Sequence, residues 1–211
     1  MPLRDTAPVG APCWVDLFTS DTQRAIDFYG AILGWVALPA NDEFGGYFNF
    51  TSDGHLVAGC MRNDGSTGAS DAWSVYLATD DAIATAAAAA THGAQILVPT
   101  MAVGDLGSMA LLADVGGAAI GMWQPGLHPG FGVLGEPGSP CWFELHTRDY
   151  DASVQFYREV FHWDAHAMSD TPDFRYTTLG IGDDALAGIM DSAAFLPAGV
   201  SASWQVYFGV D

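Results

Sequence analysis

Two acids occupy matching places in this sequence, and together with a histidine two residues beyond the second acid they could carry proton-transfer chemistry. Trp14 precedes Asp16 by two positions, and Trp142 precedes Glu144 by two positions. An acid beneath aromatic rings is partly desolvated, and desolvation raises its pKa towards the range of a general base. Glu144 and His146 are two residues apart, so on a strand they would share a face and could share a proton or hold one metal ion. The competing interpretation is an acid that is simply hydrogen-bonded to a neighbouring side chain or backbone group.

Both acids belong to a long internal repeat. Residues 12–21 return as residues 140–149, the pair Phe28-Tyr29 returns as Phe156-Tyr157, and Trp35 returns as Trp163. The offset stays at 128 residues over all these positions. An offset that persists without a gap indicates a duplicated domain rather than shared composition.

A weaker repeat lies within each copy. Four tryptophans each precede an aspartate by seven residues and open a short apolar run: Trp14, Trp73, Trp142 and Trp204. A helical pattern follows the first three runs, whereas the fourth ends at Asp211. The sequence therefore predicts four strand-then-helix units, with the fourth cut short after its strand.

The elements around Asp16 explain how it would be positioned. Alternation predicts a strand over 13–19 with Trp14, Asp16 and Phe18 on one face. A helix predicted over 22–33 should pack on the opposite face, so that Asp16 faces away from it. Further helices are predicted over about 81–91 and 150–161, each followed by short strands bounded by glycine turns.

This order predicts an α+β fold of tandem βαβββ modules. Two modules side by side would form a curved sheet with helices outside and a cup inside. The predicted domains are residues 10–124 and 139–211, joined by a linker rich in proline and glycine at 125–138. The truncated fourth module should leave a bare strand edge in the second domain. A missing segment would explain that edge, as would pairing with a second copy in a homodimer.

Composition narrows the range of partners. The chain has 211 residues, with 6 basic and 25 acidic side chains and a net charge of −19. Such a surface repels phosphate backbones and anionic lipids, so neither nucleic acid nor a membrane is an expected partner. The three cysteines form no CxxC motif, and the first residues contain no apolar secretory segment. A cytoplasmic location is therefore expected.

The repeated motifs resemble those of the vicinal oxygen chelate superfamily, which includes glyoxalase I, bleomycin-resistance proteins and extradiol dioxygenases. The resemblance covers essentially the whole chain and is closest to a two-domain branch of glyoxalase-like or hydroxylase-type proteins. This scaffold hosts several chemistries, so it implies a fold rather than a reaction. The residues that carry it are Asp21, Phe28-Tyr29 and Leu33-Gly34-Trp35; Asp114, Gly117-Ala118 and Met122-Trp123; and Asp149, Phe156-Tyr157 and Phe161-His162-Trp163.

The same resemblance implies where a metal would bind. Metal-dependent members carry a His or Gln near the start of each module's first strand and a Glu on its last strand. The last-strand position of module two maps to Gly121, which has no side chain. The first-strand positions map to tryptophans, whose indole N–H only donates hydrogen bonds and cannot ligate a cation. Neither a metal ion nor another cofactor is therefore expected.

A cup lined by indoles suits a flat, apolar or aromatic small molecule. The predicted ligand-binding residues are Trp14, Phe18, Trp73, Trp142 and Trp204, although indoles that merely fill the cup are an equal alternative. The first hypothesis is a metal-free small-molecule-binding protein, with Asp16, Glu144 or His146 in a proton-transfer or hydroxylase-type step. The second is a metal-dependent lyase or dioxygenase with a rearranged site around Glu144 and His146. The third is a non-catalytic interaction protein.

Overall fold

A computed structural model describes residues 5–210 of the chain. Eight strands of its first part form one mixed sheet in the order β2-β3-β4-β1-β5-β8-β7-β6. β1 pairs parallel with β4 and antiparallel with β5, so modules one and two meet along β1 and β5. These strands are β1 (Pro12–Thr19), β2 (Val36–Ala37), β3 (Phe48–Ser52), β4 (His55–Arg62), β5 (Ala72–Ala78), β6 (Gln95–Val103), β7 (Gly107–Ala113) and β8 (Ala119–Pro125).

A second sheet repeats this arrangement with five strands in the order β10-β11-β12-β9-β13. β9 pairs parallel with β12 and antiparallel with β13. Within residues 5–210 no strand pairs with the outer edge of β13, and a homodimer through that edge stays a prediction. Asp211, where the fourth predicted unit ends, lies outside the described residues. The strands are β9 (Pro140–Thr147), β10 (Ala165–Thr171), β11 (Phe174–Leu179), β12 (Ala187–Asp191) and β13 (Ser203–Phe208).

Three helices lie where the sequence predicts them: α1 (Thr22–Leu33), α2 (Ala82–Thr91) and α3 (Tyr150–Val160). The Asp21 carboxylate accepts the backbone N–H of Arg24 and caps the start of α1. Short 3₁₀ turns at Asp42–Phe44 and Gly182–Asp184 were not predicted. No helix in the described part of the chain is long and apolar enough to cross a membrane. The predicted α+β fold of βαβββ modules with curved sheets is confirmed.

Equivalent helices differ in what covers them. Phe28 and Ile32 of α1 are each 53% exposed, whereas their counterparts in α3, Phe156 and Val160, are each 2% exposed. The difference arises because α2 packs on α3, where His92 Nε2 lies 2.6 Å from Glu159 Oε2. Among the described elements, no helix packs on α1 in the same way.

The two sheets are joined by bonds that cross between them. The Trp35 indole donates to the carbonyl of Gly138 (2.6 Å), and the Trp163 indole donates to the carbonyl of Gly10 (2.8 Å). Each pair of equivalents is one repeat apart, so the two bonds are reciprocal. One continuous apolar core spans both sheets. The chain passes from the first sheet to the second within the predicted linker. That residues 10–124 and 139–211 act as separate domains stays a prediction.

Candidate functional site

Strand pairing identifies the side chains of β1 that face away from the helices. Asp16 lies opposite Gly59 of β4, and Trp14 lies opposite Tyr76 of β5. Directly opposed residues on neighbouring strands point to the same side of a sheet, and Phe18 follows on that side by alternation. The structure therefore places all three predicted residues of β1 on the cup face.

The first cup contains a carboxylate surrounded by hydrogen-bond donors. The Trp14 indole N–H lies 3.0 Å from Asp16 Oδ1 and 3.0 Å from the Tyr47 hydroxyl oxygen. The Tyr47 hydroxyl donates to Asp16 Oδ1 at 2.8 Å. Burial raises the pKa of Asp16 above its usual value, although hydrogen bonds from Tyr47, Tyr76 and Trp14 oppose the rise. The acid is therefore hydrogen-bonded, as the competing interpretation expected, and also desolvated.

The linker forms the floor of this cup. The His128 ring makes an edge contact with the Trp14 indole, with centroids 4.5 Å apart, and Phe131 packs on the same indole at 5.4 Å. Burial lowers the pKa of His128 to about 4, so the ring is neutral at pH 7. Because its indole is covered and its N–H engaged, Trp14 fills the base of the cup more than it offers a surface.

The second cup has the same plan with different chemistry. The Trp142 indole donates to the Tyr176 hydroxyl at 2.9 Å, and that hydroxyl donates to Glu144 Oε2 at 2.5 Å. The Tyr207 hydroxyl donates to Glu144 Oε1 at 3.1 Å. His146 Nε2 lies 2.6 Å from the same carboxylate oxygen, so the predicted pair does form.

The protonation of Glu144 differs from the sequence-based expectation. Burial is the largest single influence and raises its pKa, as predicted. Hydrogen bonds from Tyr176, His146 and Tyr207 together outweigh burial, so the pKa of Glu144 lies below its usual value. The expectation that desolvation would bring both acids towards a general base's pKa is therefore wrong for Glu144, which is a carboxylate at neutral pH.

Three glycines make room for these tyrosines. A Cβ atom added to Gly59 would lie 1.9 Å from the Tyr47 hydroxyl oxygen, and one added to Gly188 would lie 2.1 Å from that of Tyr176. At Gly121 the added atom would lie 2.2 Å from the ring of Tyr76. Each glycine lies on the last strand of its module. At three last-strand positions, therefore, tyrosine occupies the space that any longer side chain would need. 

Trp73 and Trp204 do not line the cups, and that part of the predicted site is wrong. Trp73 lies opposite Leu17, and Trp204 opposite Leu145, so both indoles point to the helix face. Their N–H groups donate to tyrosines of α1 and α3. The constant spacing to the next aspartate did not fix which face each strand presents, and a shift of one residue reverses the face. Both indoles line a cleft of about 420 Å³ between β5, β8 and β13.

The sequence also left several cup residues unidentified. Tyr47 and Tyr176 are 129 residues apart, as are Gly59 and Gly188. Both spacings are one residue longer than the repeat offset of 128 residues. Allowing one inserted residue in the repeat would have aligned both pairs and indicated a shared role.

The donors present do not fit the metal site that the family resemblance implies. Three of the last-strand positions are glycines, which have no ligating side chain. The indole N–H groups of the cups only donate hydrogen bonds and cannot bind a cation. Glu144 and His146 supply two metal-binding side chains, and within residues 5–210 no group of three or more His, Cys, Asp or Glu could hold a metal ion. A protein metal site usually takes at least three such ligands.

The raised pKa of Asp16 predicts the direction in which folding stability changes with pH. Between the ordinary value of 3.8 and the raised value, the folded state keeps a proton that the unfolded state has lost, so stability should fall as pH rises through this window. We expect Asp16→Asn to remove this slope, measured as the difference in Tm between wild type and variant from about pH 4 to 8. Glu144→Gln is the control of opposite sign, because the lowered pKa of Glu144 removes stability as pH falls. Parallel pH profiles for wild type and Asp16→Asn would contradict this assignment.

Comparison with known proteins places the chain in a family. Residues 13–122 match the glyoxalase/bleomycin resistance protein/dioxygenase superfamily. CFP32 of Mycobacterium tuberculosis, named as a supposed glyoxylase, is 34% identical over 215 residues, covering the whole of this chain and 81% of that protein. The anthracycline biosynthesis protein DnrV of Streptomyces peucetius is 35% identical, covering 95% of this chain and 77% of that protein.

Solved structures agree at the level of the fold. The Mn(II)-bound glyoxalase of Novosphingobium aromaticivorans matches 86% of this chain with a TM-score of 0.62 and 16% identity, and the chain spans 62% of its length. The 2,3-dioxygenase LapB of Pseudomonas sp. KL28 matches 88% of this chain and 71% of its own, with a TM-score of 0.58 and 13% identity. From its matched residues, its relatives and its paired βαβββ modules, the chain belongs to the glyoxalase/bleomycin resistance protein/dioxygenase superfamily.

Proposed function

We propose that this protein binds a small planar aromatic molecule in its second cup and does so without a metal ion. The observation that carries the proposal is the replacement of last-strand side chains by glycine, with tyrosines filling the vacated space at Gly59, Gly121 and Gly188. A site organised in this way holds its carboxylates with N–H and O–H donors. Such donors satisfy the carboxylate oxygens without a cation.

The accessible surface of the second cup is aromatic. Phe174 stacks on Tyr176 with centroids 5.8 Å apart and is 39% exposed, and Tyr207 is 43% exposed. Exposed aromatic faces of this kind favour flat ligands through offset stacking. The Glu144 carboxylate and the net charge of −19 disfavour anionic ligands, so the preferred ligand is neutral or cationic.

The names of the relatives support an aromatic ligand to different degrees. DnrV is named as an anthracycline biosynthesis protein, and anthracyclines contain fused planar rings. CFP32 is named as a supposed glyoxylase, and the glyoxalase among the solved structures binds Mn(II). A metal-dependent lyase or dioxygenase is therefore the second candidate, although it needs ligands that the cups do not group together. A non-catalytic interaction protein is the third, and it predicts that no small molecule binds.

Native mass spectrometry with elemental analysis tests the metal-free site. We expect no stoichiometric transition metal, and no rise in Tm when Mn²⁺, Fe²⁺, Ni²⁺ or Zn²⁺ is added. A ligand bound at 100 times its Kd would stabilise the protein by about 2.7 kcal/mol, so a specific metal would be detected. A stoichiometric metal, or a Tm that rises with one of these ions, would overturn the proposal in favour of the metal-dependent candidate.

Tryptophan fluorescence titration with 2-methoxyanthraquinone, a neutral planar probe, tests the ligand class and its place. We expect saturable binding that Phe174→Ala weakens roughly 2- to 10-fold, the range for loss of one aromatic contact. Phe28→Ala is the matched control, because Phe28 is an exposed aromatic on α1, away from the cup. Absence of binding, or equal weakening by both variants, would contradict the proposed site.

A further inference from the structure

In the Glu144–His146 pair the ring contacts the carboxylate through Nε2, which leaves Nδ1 as the nitrogen that can accept a proton when the imidazole is neutral. A carboxylate only accepts hydrogen bonds, so the hydrogen in the 2.6 Å contact belongs to His146 Nε2. In a neutral imidazole the other nitrogen, Nδ1, is then an acceptor with a free lone pair. Among the described residues nothing donates to Nδ1 or accepts from it, and the His146 side chain is 26% exposed.

Glu144 is itself fixed in place by its neighbours. Its two oxygens accept from Tyr176, Tyr207 and His146, and its side chain is 13% exposed. These donors are the titratable groups that face it from β11, β13 and β9, and they favour the carboxylate form. A fixed carboxylate behind a histidine orients the ring and stabilises the positive charge that forms when the ring takes a proton.

We propose that His146 Nδ1 acts as a general base that takes the hydroxyl proton of a phenolic ligand in the second cup. The inference rests on the proposed function, because it needs an aromatic ligand in that cup. The phenol O–H bond breaks, its electron pair stays on the oxygen, and an N–H bond forms at Nδ1. The product is a phenolate beside an imidazolium, whose Nε2–H donates to the Glu144 carboxylate.

The substrate class follows from the donors that are already engaged. A carbon acid next to a carbonyl would need donors aimed at its developing oxyanion. In the second cup the Trp142 indole N–H and the hydroxyls of Tyr176 and Tyr207 all serve the Glu144 network. In a phenol the oxygen that loses the proton also bears most of the resulting charge, so the N–H formed at His146 Nδ1 can donate to it and no separate oxyanion donor is needed. The exposed aromatic wall at Phe174 suits the same class of molecule.

The internal repeat supplies a matched variant. The residue at the position of His146 in the first cup is Phe18, which lies opposite Met61, as His146 lies opposite Met190. His146→Phe therefore places in the second cup a side chain that the same fold already accommodates in the first. The variant removes the base and keeps an aromatic surface.

The experiment compares two probes that differ in one proton: 2-hydroxyanthraquinone, whose phenolate has its own visible absorption band, and 2-methoxyanthraquinone. We expect wild type to lower the apparent pKa of bound 2-hydroxyanthraquinone by about one unit, a tenfold gain in phenolate. In His146→Phe that gain should vanish while 2-methoxyanthraquinone still binds. Glu144→Gln removes the carboxylate that stabilises the imidazolium, so this variant should also reduce the phenolate band.

The two probes separate this inference from the proposed function. Binding of 2-methoxyanthraquinone without any phenolate gain for the hydroxy probe would overturn the role of His146 and leave the ligand site intact. A phenolate band that persists in His146→Phe would also overturn it, because another group would then be the base. Failure of both probes to bind wild type would overturn the ligand class and with it this inference.

Discussion

Gly59→Ala is expected to lower the free energy of unfolding by about 2–3 kcal/mol, the upper range for overpacking a filled interior. The added Cβ would lie 1.9 Å from the Tyr47 hydroxyl oxygen and 2.1 Å from Asp16 Oδ1. Neither group can retreat freely, because the Trp14 indole N–H holds both oxygens at 3.0 Å. Relief therefore requires movement of β4 or loss of the hydrogen bonds around the carboxylate.

The control for this change is Gly30→Ala. Gly30 lies within α1, and an added Cβ would meet its nearest atom at an ordinary 3.4 Å. Alanine is the better helix former by about 1 kcal/mol, so this variant should be neutral or slightly more stable than wild type. Urea melts of the two variants give the comparison. Equal midpoints for Gly59→Ala and wild type would show that the cup has room where the structure shows none.

Tyr157→Phe is expected to cost about 2–4 kcal/mol, because two buried polar atoms, Asp114 Oδ2 and Trp204 Nε1, each lose a hydrogen bond. The Tyr157 hydroxyl donates to Asp114 Oδ2 at 2.8 Å and accepts from the Trp204 indole at 2.8 Å. All three side chains are buried where the two sheets meet. Burial raises the pKa of Asp114, although its hydrogen bonds to Tyr157 and to backbone N–H groups oppose the rise. Without the hydroxyl, Asp114 loses one of the hydrogen bonds that offset the free-energy cost of burying it.

The equivalent tyrosine of the first repeat provides the control. Tyr29 accepts from the Trp73 indole at 2.9 Å, and among residues 5–210 no carboxylate is bonded to its hydroxyl. Tyr29→Phe should therefore cost only about 1 kcal/mol, the typical loss for one hydrogen bond. Denaturant melts of both variants measure the difference. If the two substitutions cost the same, the contribution of Asp114 to the contact between the sheets is negligible.

Helices, turns and the faces of single strands could be predicted because their sequence signals lie within a few neighbouring residues. The spacing of apolar residues after Asp21 is the local signal for α1, and the Asp53-Gly54 pair, in which both residues have positive φ, is the local signal for the turn between β3 and β4. The face occupied by Asp16 and Glu144 also followed from simple alternation. Helices, turns and single-strand faces depend on few residues and leave a direct trace in the sequence.

Contacts between distant strands left no such trace. The sequence could not show that Tyr47 and Tyr176 would reach across to the acids, because that depends on pairing between β1, β3 and β4 and on the missing side chains of Gly59 and Gly188. The faces of Trp73 and Trp204 depend in the same way on how β5 and β13 pair with their neighbours. The pKa of Glu144 is even harder to predict from the sequence, because it depends on donors from three different strands.

The reciprocal bonds of Trp35 to Gly138 and of Trp163 to Gly10 bear on how a duplicated protein can be divided. Each copy of the repeat contributes the indole for one bond and the carbonyl for the other. Cutting the chain between the sheets would leave each indole without its acceptor and each half with an uncovered part of a shared core. We therefore expect the boundary that is easiest to see in the sequence to be a poor place to divide the protein, because each copy of the repeat supplies contacts that the other copy uses.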